Sequence, residues 1–172
     1  MKKLSLLFAV LVLLNSCKKD DPSLDTPGLL TKSWTISAFK VKTDAQSYDI
    51  PTATFLTSFD LASISFDGAG KYTYKSSGVA KAGTYVLSDG NTKLTITDAT
   101  KTSYIFYIGS ITSKSLELNM KSTTLESTNT SDTEAFNSIF ISNLFLSAAK
   151  IDYKKITPAP KSYQPVFIYT AN

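Results

Sequence analysis

Histidine and arginine are both absent from this chain of 172 residues, and cysteine occurs once, at Cys17. Each gap excludes something. Without histidine there is no Ser-His-Asp or Cys-His relay, and no His/Cys metal cluster. Without arginine the chain lacks the side chain best suited to bidentate phosphate and base-edge contacts, so nucleic acid is not an expected partner. A lone cysteine makes no intrachain disulfide, so the fold must be held by its core. No Gly-X-Ser-X-Gly elbow occurs, and Gly68-Ala69-Gly70-Lys71 lacks the rest of a phosphate-cradling loop. Acids are few, and Asp67, Asp89, Asp98 and Glu117 fall in turns or on polar strand faces. They read as solvated groups rather than as a glycoside-cleaving pair or a calcium site. The expectation is a non-catalytic protein with no metal and no cofactor.

What is present begins with a leader. Lys2 and Lys3 precede an apolar run of 11 residues, Leu4 to Leu14, interrupted only by Ser5. That length suits a signal-peptide core and is too short to span a bilayer. The run ends in Leu14-Asn15-Ser16-Cys17, which resembles the bacterial lipobox. The resemblance implies removal of residues 1–16 and lipidation of Cys17, thiol and amine, with palmitate-type chains. Two or more such chains anchor a protein stably to a membrane. Lys18-Lys19-Asp20-Asp21 behind the cysteine resembles the surface-export signal of Bacteroidota lipoproteins, which implies display on the outer membrane. Residues 17–28, with Pro22, Pro27 and Gly28, read as a tether.

The remaining mature chain of 156 residues suffices for one domain with a real core. It carries 16 lysines against 14 acids, nearly neutral and scattered. Most of it alternates apolar and polar residues in the period-two manner of half-buried strands. Trp34, Ile36 and Ala38 share one face, as do Ala62, Ile64 and Phe66, then Tyr72 and Tyr74, then Tyr85 and Leu87. Leu94 and Ile96 follow, and farther on Leu116, Leu118 and Met120. Asp67-Gly68-Ala69-Gly70 and Ser88-Asp89-Gly90-Asn91 supply the tight turns between them. Residues 44–60 read as a mixed connection broken by Pro51.

Tyr104 to Ile108 is apolar on both faces, so something should cover its outside. Ser131-Asp132-Thr133-Glu134 fits a capping box, and behind it Phe136, Ile139, Phe140, Leu144, Phe145 and Ala148 recur at helical spacing. A helix over about 132–149 is expected on the barrel wall or across one mouth. Ile151 to Ile156 reads as the closing strand, and residues 158–172, with Pro158, Pro160 and Pro165, as an edge strand or a loosely held tail. The fold class expected for residues 29–157 is mainly β: an antiparallel, eight-stranded up-and-down meander barrel with one helix before the last strand.

The segments Leu30-Thr31-Lys32-Ser33-Trp34, Ile64 to Tyr72, Gly83-Thr84-Tyr85-Val86-Leu87, and Ile108-Gly109-Ser110-Ile111 through Leu116-Glu117-Leu118 resemble the lipocalin-like domain lipoproteins of Bacteroidota. The resemblance covers about Leu29 to Met120 plus the strand around Tyr153. Trp34 matches the tryptophan that closes a lipocalin base, whereas Lys32 stands where true lipocalins have glycine. The family implies a membrane-anchored barrel binding a small apolar or amphipathic ligand. Tyr72, Tyr74, Tyr85, Tyr104, Phe106 and Tyr153 are the expected ligand-binding side chains, since a tyrosine brings apolar area and a hydroxyl that needs a partner. The competing reading is that these rings simply fill the core. The chain would then be a surface-displayed interaction module whose exposed face binds a protein or glycan. Oligomeric state is not legible in the sequence.

Overall fold

In a computed structural model, which describes residues 26–55, 60–76, 78–124 and 131–172, the period-two segments become strands of one sheet. The leader, Cys17, Lys18 to Asp21 and most of the tether lie outside the described residues. A short helix, α1 (Thr26–Leu30), leads into β1 (Ser33–Thr43), and β2 (Ser47–Ile50) folds back onto it. The meander continues through β3 (Ser63–Phe66), β4 (Lys71–Ser76), β5 (Val79–Ser88), β6 (Lys93–Thr97), β7 (Ser103–Ile111) and β8 (Ser115–Asn119). Helix α2 (Thr133–Ala148) then precedes β9 (Tyr163–Ala171). All pairings are antiparallel, and β9 pairs with β8 on one side and β1 on the other, which closes the sheet into a ring. Eight strands form the ring. The ninth, β2, pairs with the far half of β1, along the edge whose near half holds β3.

The structure is therefore a mainly β, barrel-like meander with a helix before its last strand, as the alternation predicts. Four local readings are corrected. The first concerns β1. Trp34 and Ile36 face inward, but the register against β9 shifts between Ile36 and Ala38. One extra residue at a bulge reverses the inward parity. Beyond it Phe39 and Val41 are fully buried, and Ala38 is only half-buried.

The second correction is the closing strand. Residues 151–156 hold a short 3-10 turn at Tyr153–Lys155, and the ring is closed by Tyr163–Ala171, paired on both sides in the segment read as an edge strand or a loosely held tail. Pro165 is tolerated there for a geometric reason. Its carbonyl accepts from the Met120 amide, so its nitrogen faces the β8 side. The Met120 carbonyl, which an amide at 165 would have met, accepts from the Gln164 side-chain amide at 3.0 Å instead.

Third, the connection over residues 44–60 carries β2 and a 3-10 turn at Thr52–Thr54. Fourth, α2 is capped one residue later than the capping box implies: the Asp132 carboxylate accepts from the Ala135 amide at 3.0 Å. Its buried face is Ala135, Ser138, Ser142, Phe145 and Leu146. The small residues let the helix approach β9, β1 and β2 closely, and Phe145 packs against Phe39, Phe55 and Phe167 with ring centroids 5.1 to 5.7 Å away. Phe136, Phe140 and Leu144 lie on the other side, 52, 59 and 43% exposed. Of the two placements expected for the helix, the one across a mouth forms.

Candidate ligand-binding site

The two ends of the barrel are built differently. At the base, α1 brings in Leu29 and Leu30, and the Trp34 indole donates to the Leu30 carbonyl at 3.0 Å. Trp34 and Leu30 are fully buried. Phe66 and Tyr85 pack edge-to-face at 5.0 Å, and Tyr169 and Leu116 fill the space beside them. Large apolar side chains at this density leave a solid plug.

Towards the other end the interior opens into a cavity of about 370 Å³. Three walls are strands and the fourth is the helix. Strand β4 contributes Tyr72 and Tyr74, β7 contributes Tyr104 and Phe106, and β9 contributes Phe167. Asn137, Phe140 and Ile141 of α2 close over it, with Met120 at the end of β8. Asp60 and Leu61 before β3, and Asp98 after β6, stand at the rim. The helix is held over the opening by polar ties. Lys121 forms an ion pair with Asp132, and Ser138 donates to the Lys121 carbonyl. Tyr107 donates to Glu134 at 2.8 Å from outside the wall, and Lys93 pairs with the same carboxylate at 3.5 Å.

Of the six side chains expected at a ligand site, four therefore meet in one space: Tyr72, Tyr74, Tyr104 and Phe106. Tyr85 sits in the packed base against Phe66 instead. The Tyr153 side chain lies outside the described residues. The helix residues Asn137, Phe140 and Ile141 and the strand residue Phe167 were not among the expected set. The 3.6-residue periodicity of α2 could have pointed to the first three, but no pattern reports which helix edge lies over a hole.

The tyrosines differ in their surroundings. Tyr72 is almost wholly buried and its ring stacks on Tyr74 at 5.4 Å. Its hydroxyl has no hydrogen-bond partner among the described residues. Burial, with the neighbouring Tyr74 and the negative charges of Asp98 and Asp60, pushes its pKa far above the ordinary phenol value. Tyr104 is 37% exposed and is raised for the same reasons, burial first, then Asp98 and Asp60. Both hydroxyls are therefore neutral near pH 7 and can donate as well as accept.

Asp98, read from sequence as a solvated turn acid, is at the cavity rim. One oxygen, Oδ1, accepts from the Thr100 amide at 2.8 Å, the Thr100 hydroxyl at 2.7 Å and the Thr102 amide at 2.9 Å. Burial opposes its charge, but these bonds and the positive charge of Lys81 outweigh burial and hold its pKa below the usual range. Among the described residues no cluster of three or more acids, cysteines or histidines could hold a metal. No described helix is long and apolar enough to cross a membrane.

No protein-family model matches the chain, and no curated protein is significantly similar to it. The functional reading rests on the site itself.

Proposed function

We propose that this chain is a lipid-anchored, non-catalytic binding protein that takes a small apolar or amphipathic molecule into the cavity beneath α2. The observation that carries the reading is the unequal filling of the barrel. The base is plugged by Leu30, Trp34 and Phe66, while the half beneath the helix keeps a space of about 370 Å³ walled by aromatic rings. That size is at the small end of ligand pockets, which are mostly apolar with a few placed polar groups. Tyr72, Tyr104, Asn137 and the two rim acids are those groups here. The leader and Cys17 support anchoring, and Lys18 to Asp21 support outward display on the outer membrane. The resemblance to lipocalin-like lipoproteins points the same way.

Saturable binding of an environment-sensitive apolar dye tests the reading. The soluble domain should take up the dye at a stoichiometry of about one. Tyr74→Ala should change the affinity, because Tyr74 lines the cavity. Lys71→Ala, at an exposed β4 position, should leave it unchanged. Absence of any dye binding contradicts the proposal.

One observation favours the interaction-module reading as a second function. Phe136, Phe140 and Leu144 form an exposed apolar stripe at helical spacing along α2. Exposed apolar contiguity of this kind marks contact surfaces. Polar substitution of Phe136 and Leu144, which do not line the cavity, separates the two readings: dye binding should persist while any partner contact is lost.

A further inference from the structure

The charged groups lining the cavity are of one sign. The rim carries two carboxylates, Asp60 and Asp98, and no lysine lines the space, although the chain has 18 lysines. Asp98 uses only Oδ1 in holding its own turn, and its Oδ2 has no hydrogen bond among the described residues. Asp60 makes no hydrogen bond or ion pair there either and is exposed at the opening. Below the acids come the rings of Tyr72, Tyr74 and Tyr104. The Tyr72 ring lines this space, and its hydroxyl, on a side chain 1% exposed, is buried without a partner among the described residues. Phe106, Phe167 and Met120 also line it and offer no acceptor stronger than a thioether.

An uncharged apolar guest would leave both carboxylates unanswered. An anionic guest would be repelled by the rim. A cation with an apolar body answers these groups: N–H donors for the carboxylates and for the Asn137 amide oxygen, positive charge for the ring faces, and a chain for the apolar lining. Lys81, whose charge acts on Asp98, is exposed and not part of the lining. Building on the binding function above, we infer that the cavity selects a cationic amphiphile, an organic ammonium on an apolar body. Its head lies between Asp60 and Asp98 beside the faces of the tyrosine rings, and its body runs towards Phe106 and Phe167. The size also fits: a water-sized group takes about 30 Å³ of liquid volume, so the cavity admits roughly a dozen non-hydrogen atoms.

The test uses three probes of equal chain length on the mature chain: octylamine, octanol and octanoate, each displacing the apolar dye at pH 7. Octylamine is charged there, like a lysine amine. It should bind about tenfold tighter than octanol, and octanoate weakest. Asp60→Asn and Asp98→Asn should each reduce the preference for octylamine over octanol. Asparagine keeps the acceptor oxygen that holds the Thr100 turn. Asp67→Asn is the matched control. Asp67 holds an equivalent turn, accepting from Ala69 at 2.7 Å and Lys71 at 3.0 Å, but does not line the cavity. It should leave the preference intact. Equal binding of octylamine and octanol, tighter octanoate, or an equal loss with Asp67→Asn overturns the inference while the binding function stands. If the dye binds nowhere and none of the three probes binds by calorimetry, both fall together.

Discussion

Gly83 stands directly across from Tyr72 in the β4–β5 ladder, and the Tyr72 ring lies over the place where a side chain at position 83 would be. A Cβ there would come to 2.5 Å from Tyr72 Cε1 and would also meet the Thr97 carbonyl. The bare glycine thus sets where the ring lies, and the ring forms one wall of the cavity. Gly83→Ala should displace the ring and destabilise the domain by about 1–3 kcal/mol through overpacking. Urea titration measures the loss, and dye affinity should change with it. Unaltered stability together with unaltered affinity would show that the ring is free to move.

That pairing also shows what was legible in the sequence. The tyrosines of β4 read correctly as inward-facing, whereas the alternation did not mark Gly83 as the place over which a ring would lie. Period-two alternation carried most of the meander because one face of each strand is wet. It failed where a single residue changes parity, as at the β1 bulge after Ile36, since nothing in Ser37-Ala38 marks it. It failed again at β9, where the prolines pointed to an edge strand or a tail although the Gln164 side chain replaces the one amide that Pro165 lacks. Helix α2 was legible in extent but not in orientation. It is apolar on every side, so the choice of buried face was made by small residues, Ala135, Ser138 and Ser142, that allow close packing.

Trp34 ties the first strand to α1 and closes the base. It is fully buried, and its indole nitrogen is bonded to the Leu30 carbonyl. Trp34→Ala should cost about 3–5 kcal/mol, enough to leave a marginally stable domain largely unfolded at room temperature. Trp34→Phe should be milder, because it keeps most of the volume and loses the bond. A loss under about 1 kcal/mol for the alanine variant, read from denaturant midpoints, would place the base plug elsewhere.

Acid should weaken the fold through three aspartates. The Lys71 and Ala69 amides hold the Asp67 carboxyl below the ordinary aspartate value of 3.8. The Thr100 hydroxyl and the Thr102 and Thr100 amides, against burial, do the same for Asp98. Lys121 and the Ala135 amide do so for Asp132. A carboxyl depressed on folding contributes stability that is fully present above its unfolded pKa and is lost as pH falls through its folded pKa. The denaturation midpoint should therefore drop between about pH 5 and about pH 2, with little change from about pH 5 to 7. Asp132→Asn should make that drop shallower. An equally steep drop would remove Asp132 from the account.

The proposed membrane anchor rests on Cys17. Cys17→Ser should move the protein from the detergent phase to the aqueous phase on partitioning, since the lipid has no other attachment point in a chain with one cysteine. Replacing Asp20 and Asp21 with alanine should leave the anchor intact and reduce protease access on whole cells. A Cys17→Ser protein that stays with the membrane contradicts lipidation at that residue.

The central claim is that the space beneath α2 holds a small molecule, and native mass spectrometry of the mature domain purified from its own host reads it most directly. The account predicts a species heavier than the polypeptide by one small ligand, released by denaturation and diminished by Tyr74→Ala. A spectrum showing only the bare polypeptide, joined by failure of apolar dyes and ammonium probes to bind the purified domain, would contradict it.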